Sequence, residues 1–202
     1  MSTWFLLSLA GALLLTPLHF LSVEHERLDG RFGKEKGERI GGVLGIISGW
    51  GYFLFLFGIW LSPQMNYVLP ISSDFLMFSL EWISISLSSF LIGLVFLIPG
   101  IWFGIKGVTD LGLKVSETHR ADQIITQGVY GRVRHPQYLG AILSHIGISL
   151  MLSIFYALLI TPILVIRDYI VCLKEEKELE QEFGEDYIDY KSKIPMLIPY
   201  RR

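Results

Sequence analysis

Apolar residues run along this chain in blocks long enough to cross a bilayer. About 20 largely apolar residues in helix traverse some 30 Å of hydrocarbon. Three stretches meet that length without an Asp, Glu, Lys or Arg: Trp4 to Val23, Ile40 to Leu61 and Trp82 to Ile105. A fourth apolar region, Tyr138 to Leu173, is 36 residues long and is broken late by Arg167-Asp168. As helix it would reach about 54 Å, a little short of two perpendicular crossings. We read it as two short helices in a hairpin that turns near Ser153. The pattern predicts an all-α integral membrane protein with five transmembrane helices, the last two forming that hairpin. Residues 1–105 would hold three N-terminal spans, and residues 106–202 a cytosolic loop, the hairpin and a C-terminal cytosolic helix, all in one integrated domain. The first apolar block lacks a basic leader and a small-residue cleavage site, so it reads as a membrane helix rather than a signal peptide.

The polar positions orient these spans. Glu24 to Arg39 holds five Lys or Arg, Lys106 to Arg134 five, and Arg167 to Arg202 seven, which accounts for all 17. The connection Ser62 to Glu81 and the turn near Ser153 hold none. By the positive-inside rule the N-terminus is outside and every charged segment, including the C-terminus, is cytoplasmic. Within Glu24 to Arg39 five basic residues balance five acidic ones. Gly30, Gly33 and Gly37 predict a solvated, irregular connection there. Gly41, Gly45 and Gly49 form a small-residue stripe that lets neighbouring helices approach closely. Phe75 to Leu80 reads as an interfacial piece. Asp122 to Gly128 reads as extended chain entering a glycine turn, and Lys174 to Phe183 as a charged helix ended by Gly184.

Composition sharpens the picture. Of 202 residues 51% are hydrophobic and 18% charged, with a net charge of −2. That excludes a disordered chain and gives no pull toward nucleic acid. One cysteine, Cys172, excludes an internal disulfide framework and a cysteine-based zinc cage. No paired histidines stand at zinc spacing, and the chain shows no phosphate-cradling glycine motif and no nucleophile elbow.

Two clusters carry more polarity than the membrane edge requires. Pro136 suits the first turn of a helix, which places His135 at a helix start whose free amides attract an anion. Tyr130 and Tyr138 flank it and offer faces for stacking or for a cation. Taken alone, such a cluster at a helix start is more often a cap with interfacial aromatics than a ligand site. In the second cluster, Cys172, Glu176, Leu179 and Phe183 share one apolar helix face, while Glu175 lines up with Glu178 and Glu182 on a solvated side. A carboxylate on an apolar face requires a cation, so Glu176 is the informative acid. Arg167-Asp168 lies at membrane depth, where an ionisable pair is either functional or a mutual salt bridge. His19 and His145 read as packed, hydrogen-bonded side chains.

Gly128-Val129-Tyr130, Arg134-His135-Pro136-Gln137-Tyr138-Leu139-Gly140, Glu175-Glu176 through Leu179, Phe183-Gly184, Tyr187, Tyr190, Pro195 and Ile198-Pro199 together resemble the isoprenylcysteine carboxyl methyltransferase family. The related phospholipid methyltransferases share the pattern. The resemblance implies a membrane methyltransferase that uses S-adenosylmethionine without a Rossmann domain or a metal. Its cofactor shell would be Gln123, Ile124, Ile125, Tyr130, His135, Pro136, Tyr138 and Glu176. Relatives carry an arginine four or five residues before the second glutamate, where this chain has Val171 and Cys172. Arg167, one turn earlier, would then be the catalytic substitute that meets a substrate carboxylate, and Glu176 would be the second catalytic residue. The implied partners are membrane lipids and a lipophilic small molecule or prenylated peptide, with the carboxylate of a prenylated cysteine as first acceptor. Alternatives are a phospholipid amine acceptor, an NADPH-dependent sterol-type reductase, which shares the C-terminal pattern, and a non-catalytic membrane adaptor.

Overall fold

The computed structural model describes residues 1–67, 69, 75–80 and 83–199, and they are mostly helical. Helix α1 (Thr3–Ser22) begins at Ser2, whose hydroxyl accepts a hydrogen bond from Phe5 N at 3.2 Å. It lies against α3 (Lys34–Leu61). Their contact is the apolar core, in which Phe5 and Ala12 of α1 meet Tyr52, Leu56, Ile59 and Trp60 of α3. Ile154, Ala157, Ile160 and Leu164, from further along the chain, close it.

Between these helices the structure corrects an expectation. Glu24 to Arg39 is not an irregular connection. It forms α2 (His25–Phe32) and the first turn of α3, divided at Gly33, whose φ of 79° suits glycine. Tertiary pairing overrides the weak local propensity. Arg120 grips Asp29 with two hydrogen bonds of 2.7 and 3.0 Å, and Lys174 pairs with Glu24. The small-residue stripe admits neighbouring helices, as expected, at two of its three positions. Gly45 makes room for the Glu117 carbonyl, which a Cβ would approach to 2.4 Å, and Gly41 faces Leu28, while nothing lies within 4 Å of Gly49.

A second correction concerns the third apolar block. Its helix, α4 (Leu87–Leu111), starts five residues later than expected, after an antiparallel hairpin of β1 (Leu76–Leu80) and β2 (Ile83–Ser86). Ile83-Ser84-Ile85-Ser86 has the two-residue period of a strand, and Ser86 then caps the helix by accepting from Ser89 N at 3.3 Å. The fold is therefore helical with one small hairpin, not purely α. Pro70 and Trp82 lie outside the described residues. At its other end α4 runs six residues past Ile105, with Lys106 and Asp110 paired at 3.1 Å.

Next come α5 (Leu113–Thr118), an irregular stretch and a 3₁₀ turn at Gly128–Gly131. Helix α6 (Pro136–Met151), short α7 (Phe155–Leu159) and α8 (Thr161–Phe183) form the expected hairpin, turning at Ser153 with its φ of 54°. Helix α8 ends at Gly184, as expected, and α9 (Glu185–Lys193) completes the described helices.

Helix α6 packs on α4 along a glycine seam. A Cβ on Gly140 would sit 2.5 Å from Gly104 N, and one on Gly100 would sit 2.6 Å from Ser144 N. The two backbones are in contact, and side chains at these positions would part them. Helices α1, α3 and α4 are long and apolar enough to cross a membrane. Leu14, Leu54 and Val95 on them are about 70% exposed, as lipid-facing side chains are. Helix α6 has 16 residues, a rise of about 24 Å, short of a full crossing, while α8 has 23 residues but carries charged side chains from Arg167 onward.

Candidate functional site

Where α6 begins, the 3₁₀ turn, the stretch after α5, the middle of α8 and α9 surround a cavity holding about 860 Å³ of space free of protein atoms, mouth included. Local chemistry fixes each wall. Gly128 adopts a φ of 62° beside Asp110, whose Oδ2 accepts from Val129 N at 3.1 Å; a Cβ on Gly128 would fall 2.2 Å from that oxygen. This tethers the 3₁₀ turn to the end of α4. Tyr130 is pinned from two sides: its hydroxyl donates to Gly107 O at 3.2 Å, and its carbonyl accepts from Tyr190 at 2.7 Å. Pro136 takes the first position of α6, and His135 precedes it without capping the helix itself. The chain after α9 straps this junction down: Pro195 O accepts from Arg134 N at 2.9 Å and Met196 O from His135 N at 3.0 Å.

The charged groups meet around His135. Its Nδ1 lies 3.3 Å from Glu175 Oε2 and its Nε2 3.2 Å from Glu176 Oε1, so one imidazole bridges adjacent carboxylates. Glu176 is 1% exposed, with Arg134 at 2.7 Å on one oxygen and Lys191 at 2.9 Å on the other. Arg134 also donates to the carbonyls of Lys191 and Ile194. Glu175 accepts from Tyr138 and has His119 Nδ1 at 2.9 Å.

Both carboxylates lie beyond the apolar part of α8, and both titrate well below the ordinary 4.5. For Glu175, burial works against the charge, but hydrogen bonds to His119 and His135 outweigh it. For Glu176, burial is likewise outweighed by His135, Lys191 and Arg134. Burial also opposes protonation of His135; Cys172 and the two carboxylates override it and hold the ring well above 6.5.

Seven of the sequence-derived cofactor residues line the cavity together: Gln123, Ile124, Ile125, Tyr130, His135, Pro136 and Tyr138. Glu176 is not among the lining residues; it stands behind the wall, neutralised by Arg134, Lys191 and His135. Its neighbour Glu175 faces the cavity instead, with Glu178 and Glu182. The face of α8 that helical spacing marked as solvated therefore turns toward a polar chamber, because α9 and the stretch after α5 fold over it. Arg167 does not reach the cavity. It is 7% exposed, hydrogen-bonded to Asp168 at 2.6 Å and stacked 4.0 Å over the Tyr52 ring, which is the mutual-pair alternative. His19 and His145 are packed and bonded as expected, to Ser48 at 3.0 Å and to Trp60 and Ala157 at 3.1 and 2.9 Å. Sequence reasoning missed His119, which sits in a left-handed conformation (φ 57°) at the end of α5 and lines the cavity. No periodicity or motif marks it.

Residues 88–186 match the phospholipid methyltransferase family model. That stretch runs from α4 into α9 and holds His119, Tyr130, His135, Tyr138, Glu175 and Glu176. The chain is also similar to the mouse Protein-S-isoprenylcysteine O-methyltransferase, 36% identical over 90 residues, which are 42% of this chain and 29% of that protein. It is 32% identical over 96 residues to the mouse Delta(14)-sterol reductase TM7SF2, covering 44% and 22%. Methanethiol S-methyltransferase 1 of Bradyrhizobium diazoefficiens is 31% identical over 121 residues, covering 60% and 39%. The matched stretches thus span well under half the length of these curated relatives. The resemblance to isoprenylcysteine and phospholipid methyltransferases read from the motifs stands.

Proposed function

We propose that this chain is an integral membrane methyltransferase that takes S-adenosylmethionine from the cytosol and a lipophilic acceptor from the bilayer. One observation carries the reading: a single cavity combines a cationic helix start, three carboxylates and tyrosine faces. A molecule that presents a carboxylate, an ammonium, a sulfonium and an aromatic base fits that set. His135 and the first amides of α6 would hold the carboxylate. Glu175 would meet the ammonium, with Glu176 behind it fixing Arg134 and His135 in place. Tyr130 and Tyr138 offer faces to the sulfonium and the base, and Gln123, Ile124 and Ile125 cover the chamber.

When bound, S-adenosylmethionine supplies an electrophilic methyl group for in-line displacement. The protein's part is positioning and exclusion of water. A carboxylate acceptor, such as that of a prenylated cysteine, attacks without losing a proton. A phospholipid amine must first lose one. Neither Val171 nor Cys172 can supply the guanidinium that would hold a carboxylate, and Arg167 is engaged elsewhere. The hairpin of α6, α7 and α8 would complete five crossings, with the N-terminus outside and the cavity at the cytoplasmic edge, where the cofactor and a lipid tail can both arrive.

The sterol reductase likeness supports a second reading, an NADPH-dependent reductase. The cavity's charge opposes it. NADPH carries several phosphate charges, whereas Glu175, Glu178 and Glu182 line this chamber and Arg134 is committed to Glu176. A methyl-transfer assay with radiolabelled S-adenosylmethionine, comparing farnesylated cysteine with phosphatidylethanolamine, tests the proposal. Label in either acceptor that is lost with His135→Ala supports it. Nil transfer to both and to extracted lipids indicates an adaptor that keeps only the fold.

A further inference from the structure

We infer that His119, oriented by Glu175, takes the proton from the acceptor, and that the natural acceptor is accordingly a protic amphiphile, an amine or a thiol, rather than a carboxylate. The inference rests on the methyltransferase reading. Glu175 holds Nδ1 of the imidazole at 2.9 Å, which leaves Nε2 with the lone pair that a base needs. A carboxylate, an imidazole and a proton donor in sequence is the usual arrangement of an oriented base.

The scaffold holds this ring far more firmly than a loop residue requires. His119 is a non-glycine residue at positive φ, closing α5 in the left-handed conformation. Its amide donates to Val115 O at 2.8 Å, and its carbonyl accepts from His25 Nε2 at 2.8 Å. The His19 ring meets it edge-on at 5.0 Å. Gly45 of α3 lets the preceding backbone in, since a side chain there would strike Glu117 O. Helices α1, α2, α3 and α8 thus converge on one imidazole at the wall of the cavity. A carboxylate acceptor would need no such group. It would need a cation, and the described residues place no unengaged arginine at this wall.

The step balances. The acceptor's lone pair forms a bond to the methyl carbon as the carbon–sulfur bond breaks, and that electron pair returns to sulfur, giving a neutral thioether. The acceptor's proton passes to His119 Nε2 and from there to water. The titratable and charged groups around this imidazole are Glu175 on α8, His19 on α1, His25 on α2, and, through Glu175, His135 and Tyr138 of the α6 start, with Glu117 and Arg120 in its own stretch.

The test uses the whole chain in lipid nanodiscs with three acceptors: phosphatidylethanolamine, 1-dodecanethiol and N-acetyl-S-farnesylcysteine. The wild type should methylate the amine or the thiol in preference to the farnesylcysteine carboxylate. In His119→Gln and His119→Asn, kcat on the protic acceptor should fall by about 100-fold or more, with KM little changed and the acidic limb of the kcat profile lost. Binding of S-adenosylhomocysteine, followed by calorimetry, should be retained. Transfer to the carboxylate alone in the wild type overturns the inference whatever the variants do. So does an unchanged kcat in the variants, or a parallel loss of S-adenosylhomocysteine binding, which would make His119 a cofactor contact. Retained S-adenosylhomocysteine binding with no transfer to amine or thiol overturns it while leaving the cofactor site standing.

Discussion

Adjacent side chains on a helix point about 100° apart, and Glu175 and Glu176 use that angle to play different parts. Glu176 is buried among Arg134, His135 and Lys191, where it ties α8, the start of α6 and α9 together. Glu176→Ala leaves buried cations without a partner and should cost about 3–5 kcal/mol, read from thermal unfolding in detergent. Lys191→Ala removes a partner whose side chain is 37% exposed and should cost much less. The pH dependence follows from the same groups. Folding lowers the carboxyls of Glu175 and Glu176, so their contribution is full above 4.5 and lost as pH falls through their depressed values. Folding raises His135, so its contribution is full below 6.5 and fades as pH rises through its elevated value. Unfolding temperature against pH should therefore show a plateau between these limits and fall on both sides; a maximum well above neutral pH would contradict the cluster as described. Helical spacing correctly made Glu176 the buried acid. It could not show that the opposite face, with Glu175, looks into a chamber, because that face is enclosed by residues far along the chain.

Among the elements, the seam of α4 with α6 does most to place the site. It fixes where α6 begins, hence where His135 and Pro136 stand. Gly140→Leu must push the α4 backbone away at a point where even a Cβ would reach 2.5 Å, and should cost at least about 1–3 kcal/mol. The Gly49→Leu variant, with nothing within 4 Å, should unfold at nearly the wild-type temperature. Equal losses in the two would contradict the seam. The three long apolar helices were legible, since uncharged apolar blocks of that length admit few other readings, and so was the turn at Ser153. The stripe of Gly41 and Gly45 was legible because a strict four-residue repeat is visible in a sequence, whereas the spacing of Gly100, Gly140 and their neighbours acquires meaning only when two helices are laid together. The helix α2 was hidden for a similar reason: Asp29 and Arg120 stabilise it from 91 positions apart.

Across the whole molecule, the long apolar helices α1, α3 and α4 carry a polar chamber at one end, and the phospholipid methyltransferase family model covers α4 and most of the chamber's walls but neither α1 nor α3. Everything that gives the chamber its charge, from Asp110 to Lys191, is packed at one end of these spans. Seven residues that the family resemblance implied as a cofactor shell line this cavity together; Arg167 does not, because Asp168 and Tyr52 satisfy it inside the helix bundle. Should Arg167→Leu be made, stability should drop, since Asp168 is left buried and alone, while affinity for S-adenosylhomocysteine stays at the wild-type level. A matching loss of affinity would return Arg167 to the site. The central claim is that this chamber accepts a zwitterionic sulfonium donor and not a polyphosphate. Calorimetric titration of the detergent-solubilised chain with S-adenosylhomocysteine and, separately, NADPH measures it directly. Saturable binding of S-adenosylhomocysteine, abolished by Glu175→Gln, is expected, with no heat from NADPH; saturable binding of NADPH alone would contradict the claim.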